Sequence, residues 1–483
     1  MAEFGFDTFL SPFTWRYGSE EMRRLFSEVY TRALWRKVWL ALAEAQADYG
    51  LISREELEDI RSKAGEESVN VERAHEIERE IRHDLMAEIR AFAEQCPIGG
   101  GKIHLGATSM DIEDNADAVR MKKALDVILT RLVNCLNALA KKVIQYKDLP
   151  CIGWTHIQPA EPTTLGYRLA SYAQDLVMDI RLVEFLLEGF IMGKGVKGAV
   201  GTSASFRFLL EGRGRPEDME RKVMEKLGLR AFTVSTQTYP RKMDFVLMSV
   251  LAGIAQSAHK FGLDFRLLQS PVFGEISEPM KETQVGSSAM PFKKNPVSAE
   301  RMCSLARYVS VLPKLAWDNA SLTILERTLD DSANRRVMLA EAFLALDECL
   351  MIYANLAERM VVYPEMIRRN LERFAPFAAV EPILMRLVEL GEDRQKMHER
   401  LREISRRAWE RVMKGEENPL QRLVMDDPVI GSKIPEHEMK RLFDINWYVG
   451  DAPERCEKFV REEVAPVLRK YEDRIAPMEE TKF

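Results

Sequence analysis

Histidine is scarce in this chain, seven among 483 residues, and none is spaced as HxxxH or HExxH or joined by a cysteine cluster. The usual zinc arrangements therefore have no support, and no metal or other cofactor is expected. The six cysteines (Cys96, Cys135, Cys151, Cys303, Cys349 and Cys456) lie far apart with no CxxC pair. They read as small buried hydrophobes in a reducing compartment rather than as a disulfide framework. A GxxxxGK[ST] loop is missing, as is a GxGxxG after a strand, which leaves nucleotide hydrolysis and dinucleotide redox unsupported. "GTSAS" at 201–205 is not GxSxG. No apolar run approaches the roughly 18–20 residues a membrane span needs. The longest candidate, 245–258, is broken by Ser249, Gly253 and Gln256. A basic excess is missing too: the net charge is −6 and the pI near 5.9, unlike a nucleic-acid binder. The opening "MAEFGFDTFLSPF" lacks a basic region followed by an apolar stretch, so a cytoplasmic protein is expected.

Proline is absent over long spans: 98–149, 163–215, 241–270 and 314–363. Because proline ends or kinks helices, each gap has room for one or two long ones. In the first gap Leu125, Leu129, Leu132, Leu136, Leu139 and Val143 step by alternating fours and threes, the seam of a helix bundle. Leu339, Phe343, Leu346, Leu350 and Tyr353 repeat the stepping in the last gap. No strand-rich alternation or solenoid repeat is visible. The expected fold is all-α, in three helical domains. Residues 1–111 carry shorter helices such as 20–49 and 54–64, and 112–363 form a central bundle of very long helices. In 364–483 prolines return and break the chain into shorter helices.

Three histidines stand in suggestive places. His83 lies in "IRHDLM" and His104 in "GGGKIHLGATS". His156 lies in "GWTHIQPAEPTT", where Pro159 and Pro162 are expected to stop one structure and open the next long helix. A histidine so presented is a ready proton donor or acceptor, though a capping or packing role would serve each one equally well. His75, His259, His398 and His437 read as surface or satisfied side chains. Arg16, Lys293, Arg301, Arg327, Arg335 and Arg336 lie in loop-like or helix-end sequence of an otherwise acidic protein. "LERTLDDSANRR" gathers three of them with Ser332 and Asn334, a grouping suited to carboxylate or phosphate. A salt-bridged surface with Asp330 and Asp331 is the bland alternative. Between two helical stretches, "QVGSSAMPFKKNPVSAE" (284–300) inserts glycine, serines, prolines and lysines, and it reads as a loop able to close on a substrate.

"GSSAMPFKKNP" resembles the lysine loop of the fumarase/aspartase superfamily, whose members eliminate fumarate or a related product. "RYGSEEM", "RHDLMAE", "IHLGATS", "GWTHIQPAEPTT", "VKGAVGTSASF", "TQTYPRKMD" and "ERTLDDSANRR" look like its adenylosuccinate-cleaving branch, animal type. The resemblance implies β-elimination of fumarate from adenylosuccinate, giving AMP, and from SAICAR, giving AICAR. It implies Ser287 as base, His156 as acid, His83 as a second histidine, Glu300 as a partner carboxylate, and Lys293 and Asn295 on the succinyl carboxylates. Arg16, Tyr17, Arg82, Asp84, Thr108, Ser109, Gln237, Arg301, Arg327, Ser332 and Arg336 match positions that contact phosphate, base and carboxylates. His104 has a supporting role at most. A homotetramer with active sites drawn from three subunits is also implied, with no nucleic-acid or membrane partner. Ser203 departs from the resemblance, standing where animal relatives carry glutamine, and "EGRGRP" at 211–216 differs from theirs in its basic content. Another lyase of the superfamily, of argininosuccinate-cleaving or carboxymuconate-cyclising type, and a non-catalytic helical scaffold are the alternatives.

Overall fold

The computed structural model describes residue 5 and residues 7–280, 289–290 and 292–476. Ser287 lies outside them. The helix expected over 20–49 is divided into α1 (Glu20–Leu25) and α2 (Glu28–Ala47). Ser27 causes the break, because its hydroxyl accepts from the Tyr30 N–H at 3.2 Å and starts a new helix. A helix over Arg54–Ser62 follows in place of the expected 54–64, and after it come α3 (Val71–Ile81) and α4 (Asp84–Glu94). Between them Arg82 turns the chain at φ 55°, and His83 caps α4 by accepting from the Met86 N–H at 3.4 Å.

The leucine seam becomes the buried stripe of α5 (Ser109–Gln145), where Leu125, Leu132, Leu136, Leu139 and Val143 are fully buried. Burying one such side chain stabilises the fold by about 1.5–3 kcal/mol, which amphipathic repetition multiplies along the helix. After a hairpin of β1 (Pro150–Thr155) and β2 (Gln158–Thr164) come α6 (Leu165–Phe185), α7 (Lys242–Gln269), α8 (Val297–Leu322) and α9 (Ser332–Arg359). These four helices and α5 pack side by side into one bundle. Phe343, Leu346, Leu350 and Tyr353 of α9 are fully buried in its core, as the second stepping requires. Pro313 does not end α8 but sits inside it. The hydrogen bond lost there is offset by packing of its neighbours Leu312 and Ala316.

Among the described residues the fold is all-α apart from two short antiparallel pairs, of which β1–β2 matters most. Pro159 and Pro162 do not open a helix. They lie in β2, paired with Trp154 and Ile152. In a two-stranded ribbon both strands are edges, where proline is tolerated at positions whose N–H would face away from the partner. The helix starts only at α6, capped by the Thr164 hydroxyl, which accepts from the Tyr167 N–H at 3.1 Å.

Beyond the bundle, α10 (Val380–Glu389) and α11 (Arg394–Met413) build a second hydrophobic cluster around Ile383, Leu387, Leu401 and Ala408. The chain then returns to the main core, to which Cys456, Val464 and Tyr471 belong. No helix among the described residues is long and apolar enough to cross a membrane.

Candidate active site

The N-terminus of α5 opens into a cleft of about 870 Å³. Eight of the residues expected at the site line it: Arg82, His83, Asp84, Ser109, Gln237, Arg327, Ser332 and Arg336. Local chemistry explains their presentation. Thr108 is the N-cap of α5 and its N–H donates to Asp111 Oδ2 at 2.9 Å, so Ser109 emerges at the first helical position. Asp111 Oδ1 also accepts from Lys194 Nζ and from the Lys197 N–H (3.0 Å), fastening the glycine-rich 193–201 segment behind the same helix end. Gln237 is held by its N–H donating to the Glu326 carbonyl at 3.2 Å, and Ser332 starts α9.

Behind the cleft lies a buried ionic lattice. Arg327 donates to Asp331 at 2.6 Å, Asp331 accepts from Arg241 at 2.7 Å, and Arg241 reaches Asp114 on α5 at 3.0 Å. Arg335 joins Asp244 of α7 at 2.7 Å and Asp117 of α5 at 3.3 Å. Asp331 is therefore a buried tie between α5 and α9, where the bland reading made it a surface partner. Burial alone would raise its carboxyl, but the charges of Arg241 and Arg327 outweigh that and hold it below the usual range. At the mouth Arg336 pairs with Asp84. There too the arginine overcomes the effect of burial and keeps the carboxylate ionised.

Apart from Thr108, the cap of α5, and Ser287, outside the described residues, the remaining expected residues lie outside this cleft in three places. Arg16 and Tyr17 sit on the turn before α1, with the Arg16 guanidinium 5.6 Å from the Trp15 ring and 5.9 Å from that of Tyr17. The turn needs Gly18 at φ 80°, where a Cβ would meet Leu344 Cδ2 at 2.8 Å. Glu348 accepts from the Gly18 N–H at 3.1 Å and lies 3.9 Å from Arg301, which ties Arg301 to the turn that carries Arg16 and Tyr17. Lys293, exposed, and Asn295 precede α8, and Glu300 on its first turn lies 3.8 Å from Arg266. Glu278 pins the start of α8 by accepting from the Ala299 N–H at 2.7 Å.

His156 occupies the third place, the tip of the β1–β2 hairpin. His156 and Ile157 have φ 55° and 59°, the two-residue turn that matches strand twist. Such angles are unusual for histidine and rarer still for a β-branched residue, and both side chains are exposed. The strain presents His156 outward. Arg168 braces the hairpin's base by donating to the Ile152 carbonyl, and is itself held by Glu275 at 2.7 Å.

His104 is a packing residue. Its Nδ1 accepts from Trp39 Nε1 at 3.0 Å, and burial lowers its pKa to about 4. Sequence reasoning missed Glu113 and Asp117, which line the cleft at four-residue steps from Ser109 along one face of α5. That spacing was the available signal.

Comparison with known proteins places this architecture. A family profile described as "Lyase" matches residues 17–310, and one described as "Adenylosuccinate lyase C-terminus" matches 376–459. Among solved structures, 3-carboxy-cis,cis-muconate lactonizing enzyme from Pseudomonas putida aligns with a TM-score of 0.82 at 25% identity, covering 95% of this chain and 99% of that one. Fumarate lyase from Mesorhizobium sp. BNC1 gives 0.82 at 23% over 92% and 99%, a likeness of fold. The long-helix bundle is thus that of an all-α lyase of the fumarase/aspartase superfamily. Adenylosuccinate lyase of Schistosoma mansoni is 40% identical over 98% of both chains, and that of Saccharomyces cerevisiae 40% over 97% of both. The enzyme of the same name from Pyrococcus abyssi is 38% identical over 93% of this chain and 97% of its own. The chain belongs to the adenylosuccinate lyase family, whose members are carbon–nitrogen lyases.

Proposed function

We propose that the protein eliminates fumarate from adenylosuccinate and from SAICAR in purine nucleotide synthesis, as a cytoplasmic homotetramer whose sites combine a cleft from one chain with the hairpin and lysine loop of others. The observation that carries the shared site is the length of α5. Its 37 residues span ~55 Å at ~1.5 Å each, with Ser109 at one end and the hairpin just past the other. A hairpin strand folding straight back recovers only ~20 Å. His156 therefore serves the cleft of a neighbouring chain, and symmetric assembly makes the exchange mutual.

The chemistry follows from this division. A base takes the proton from the succinyl carbon beside a carboxylate, and the electron pair becomes the new C=C bond as the C–N bond breaks. The departing nitrogen takes a proton from the acid. Ser287 is assigned the base and His156 the acid. The charge that develops on the carboxylate needs preorganised cations, a role for Lys293 with Asn295. His83, fixed at the cap of α4 beside Asp84, orients the acid, and Glu300 partners it. Arg16, Tyr17, Arg82, Asp84, Thr108, Ser109, Gln237, Arg301, Arg327, Ser332 and Arg336 hold phosphate, base and carboxylates. The division of the chain near residues 111 and 363 is part of the same proposal. Purified protein is expected to convert adenylosuccinate to AMP and fumarate without added metal or cofactor. Cleavage of argininosuccinate instead, or no turnover, would remove the assignment.

A further inference from the structure

Four carboxylates crowd together here, Asp84, Glu113 and Asp117 on the cleft wall and Asp114 just behind it, and three have an arginine. Asp84 pairs with Arg336, Asp117 accepts from Arg120 at 2.5 Å and Arg335 at 3.3 Å, and Asp114 accepts from Arg241 at 3.0 Å. The fourth is Glu113, one turn into α5 from Ser109, and no described residue gives it a hydrogen bond. The groups facing it are Asp84 from α4, Asp114 and Asp117 from its own helix, and Arg336 from α9. Arg82, His83, Arg327 and Arg335 line the same cleft. Arg336 is half exposed and already engaged by Asp84, so any anion that binds it comes to rest beside Glu113. An ionised Glu113 would repel that anion, whereas a neutral carboxylic acid would donate a hydrogen bond to it.

We propose that Glu113 binds substrate as a neutral acid, donating a hydrogen bond to the oxyanion held by Arg336, so that affinity is lost when Glu113 ionises. Burial, and then the neighbouring Asp84 charge, push its pKa up to about 8. The acid therefore carries its proton at neutral pH and loses it in mildly alkaline solution. The inference rests on the cleft being the substrate site, and the oxyanion is either the phosphate or a succinyl carboxylate.

Calorimetric titration of AMP and of fumarate, on the wild type and on the isosteric Glu113→Gln, tests it. With a pKa of about 8, the wild-type Kd for one of the two rises about tenfold between pH 7 and pH 9. Dependence with AMP identifies the phosphate, and dependence with fumarate a carboxylate. Glu113→Gln keeps a donor that cannot ionise and loses the alkaline rise, and Glu113→Ala binds weakly at every pH. An equal rise in Glu113→Gln, or no rise in the wild type, overturns the proposal. An infrared difference spectrum of wild type against Glu113→Gln at pH 7 reads the proton without ligand. A missing carboxylic-acid band also overturns the proposal. Loss of the substrate reading shows separately, as absence of adenylosuccinate turnover.

Discussion

At the N-terminal end of α5, side chains from α4, α5, α7 and α9 are cross-braced through Asp331, Arg241, Asp114, Arg335 and Asp244. Beyond its C-terminal end, His156 rides on an exposed two-residue turn. The lattice behind the cleft is firmly braced because its charges are buried and each depends on a partner, since an unpaired buried charge is costly. The hairpin tip is exposed, and in the proposed function it enters another chain's cleft. In the proposed function one end holds substrate and the other delivers a proton.

Substitutions should separate the two ends, the largest effect coming at the tip. His156→Ala is expected to lower kcat by about 10²–10⁴-fold, the usual worth of a positioned acid, with little change in thermal stability. A melting temperature that falls together with activity would contradict the contrast. Arg241→Met should do the reverse, because it leaves Asp114 and Asp331 buried without their shared cation. Breaking a buried pair costs about 3–5 kcal/mol, readable in denaturant titration, and a cost like that of a surface pair would deny the lattice its role.

His104 gives a smaller effect that depends on pH. Its folded pKa of about 4 lies below the unfolded value of 6.5. Its neutral form therefore contributes stability in full above about pH 6.5, and that contribution is lost as pH falls toward 4, by on the order of 3 kcal/mol at most. His104→Gln should flatten the acid limb of the stability curve, and an unchanged limb would assign the acid sensitivity elsewhere.

The bundle was legible because its signal is periodic and local: Leu125 through Val143 announce the buried face of α5 without any partner being known. The hairpin was not, because "PCIGWT" and "QPAEPTT" lack clean alternation, and proline reads as a breaker until the strand is known to be an edge. Pro313 deceived in the opposite sense, since tertiary packing carried α8 through it. The lattice was half visible. Asp331 lies four residues from Arg327, but Arg335 finds Asp244 across 91 positions, and no local pattern reports that. Glu113 became noticeable only once its three neighbouring carboxylates were seen to be paired.

The central claim is that one chain's cleft works with another chain's hairpin, and subunit mixing tests it most directly. His83→Ala and His156→Ala, each inactive alone, are dissociated, mixed and reassembled, and fumarate release from adenylosuccinate is followed. Because some sites then combine an intact cleft with an intact tip, activity should return in the mixture and in neither parent. Mixed assemblies that form but remain inactive would contradict the account.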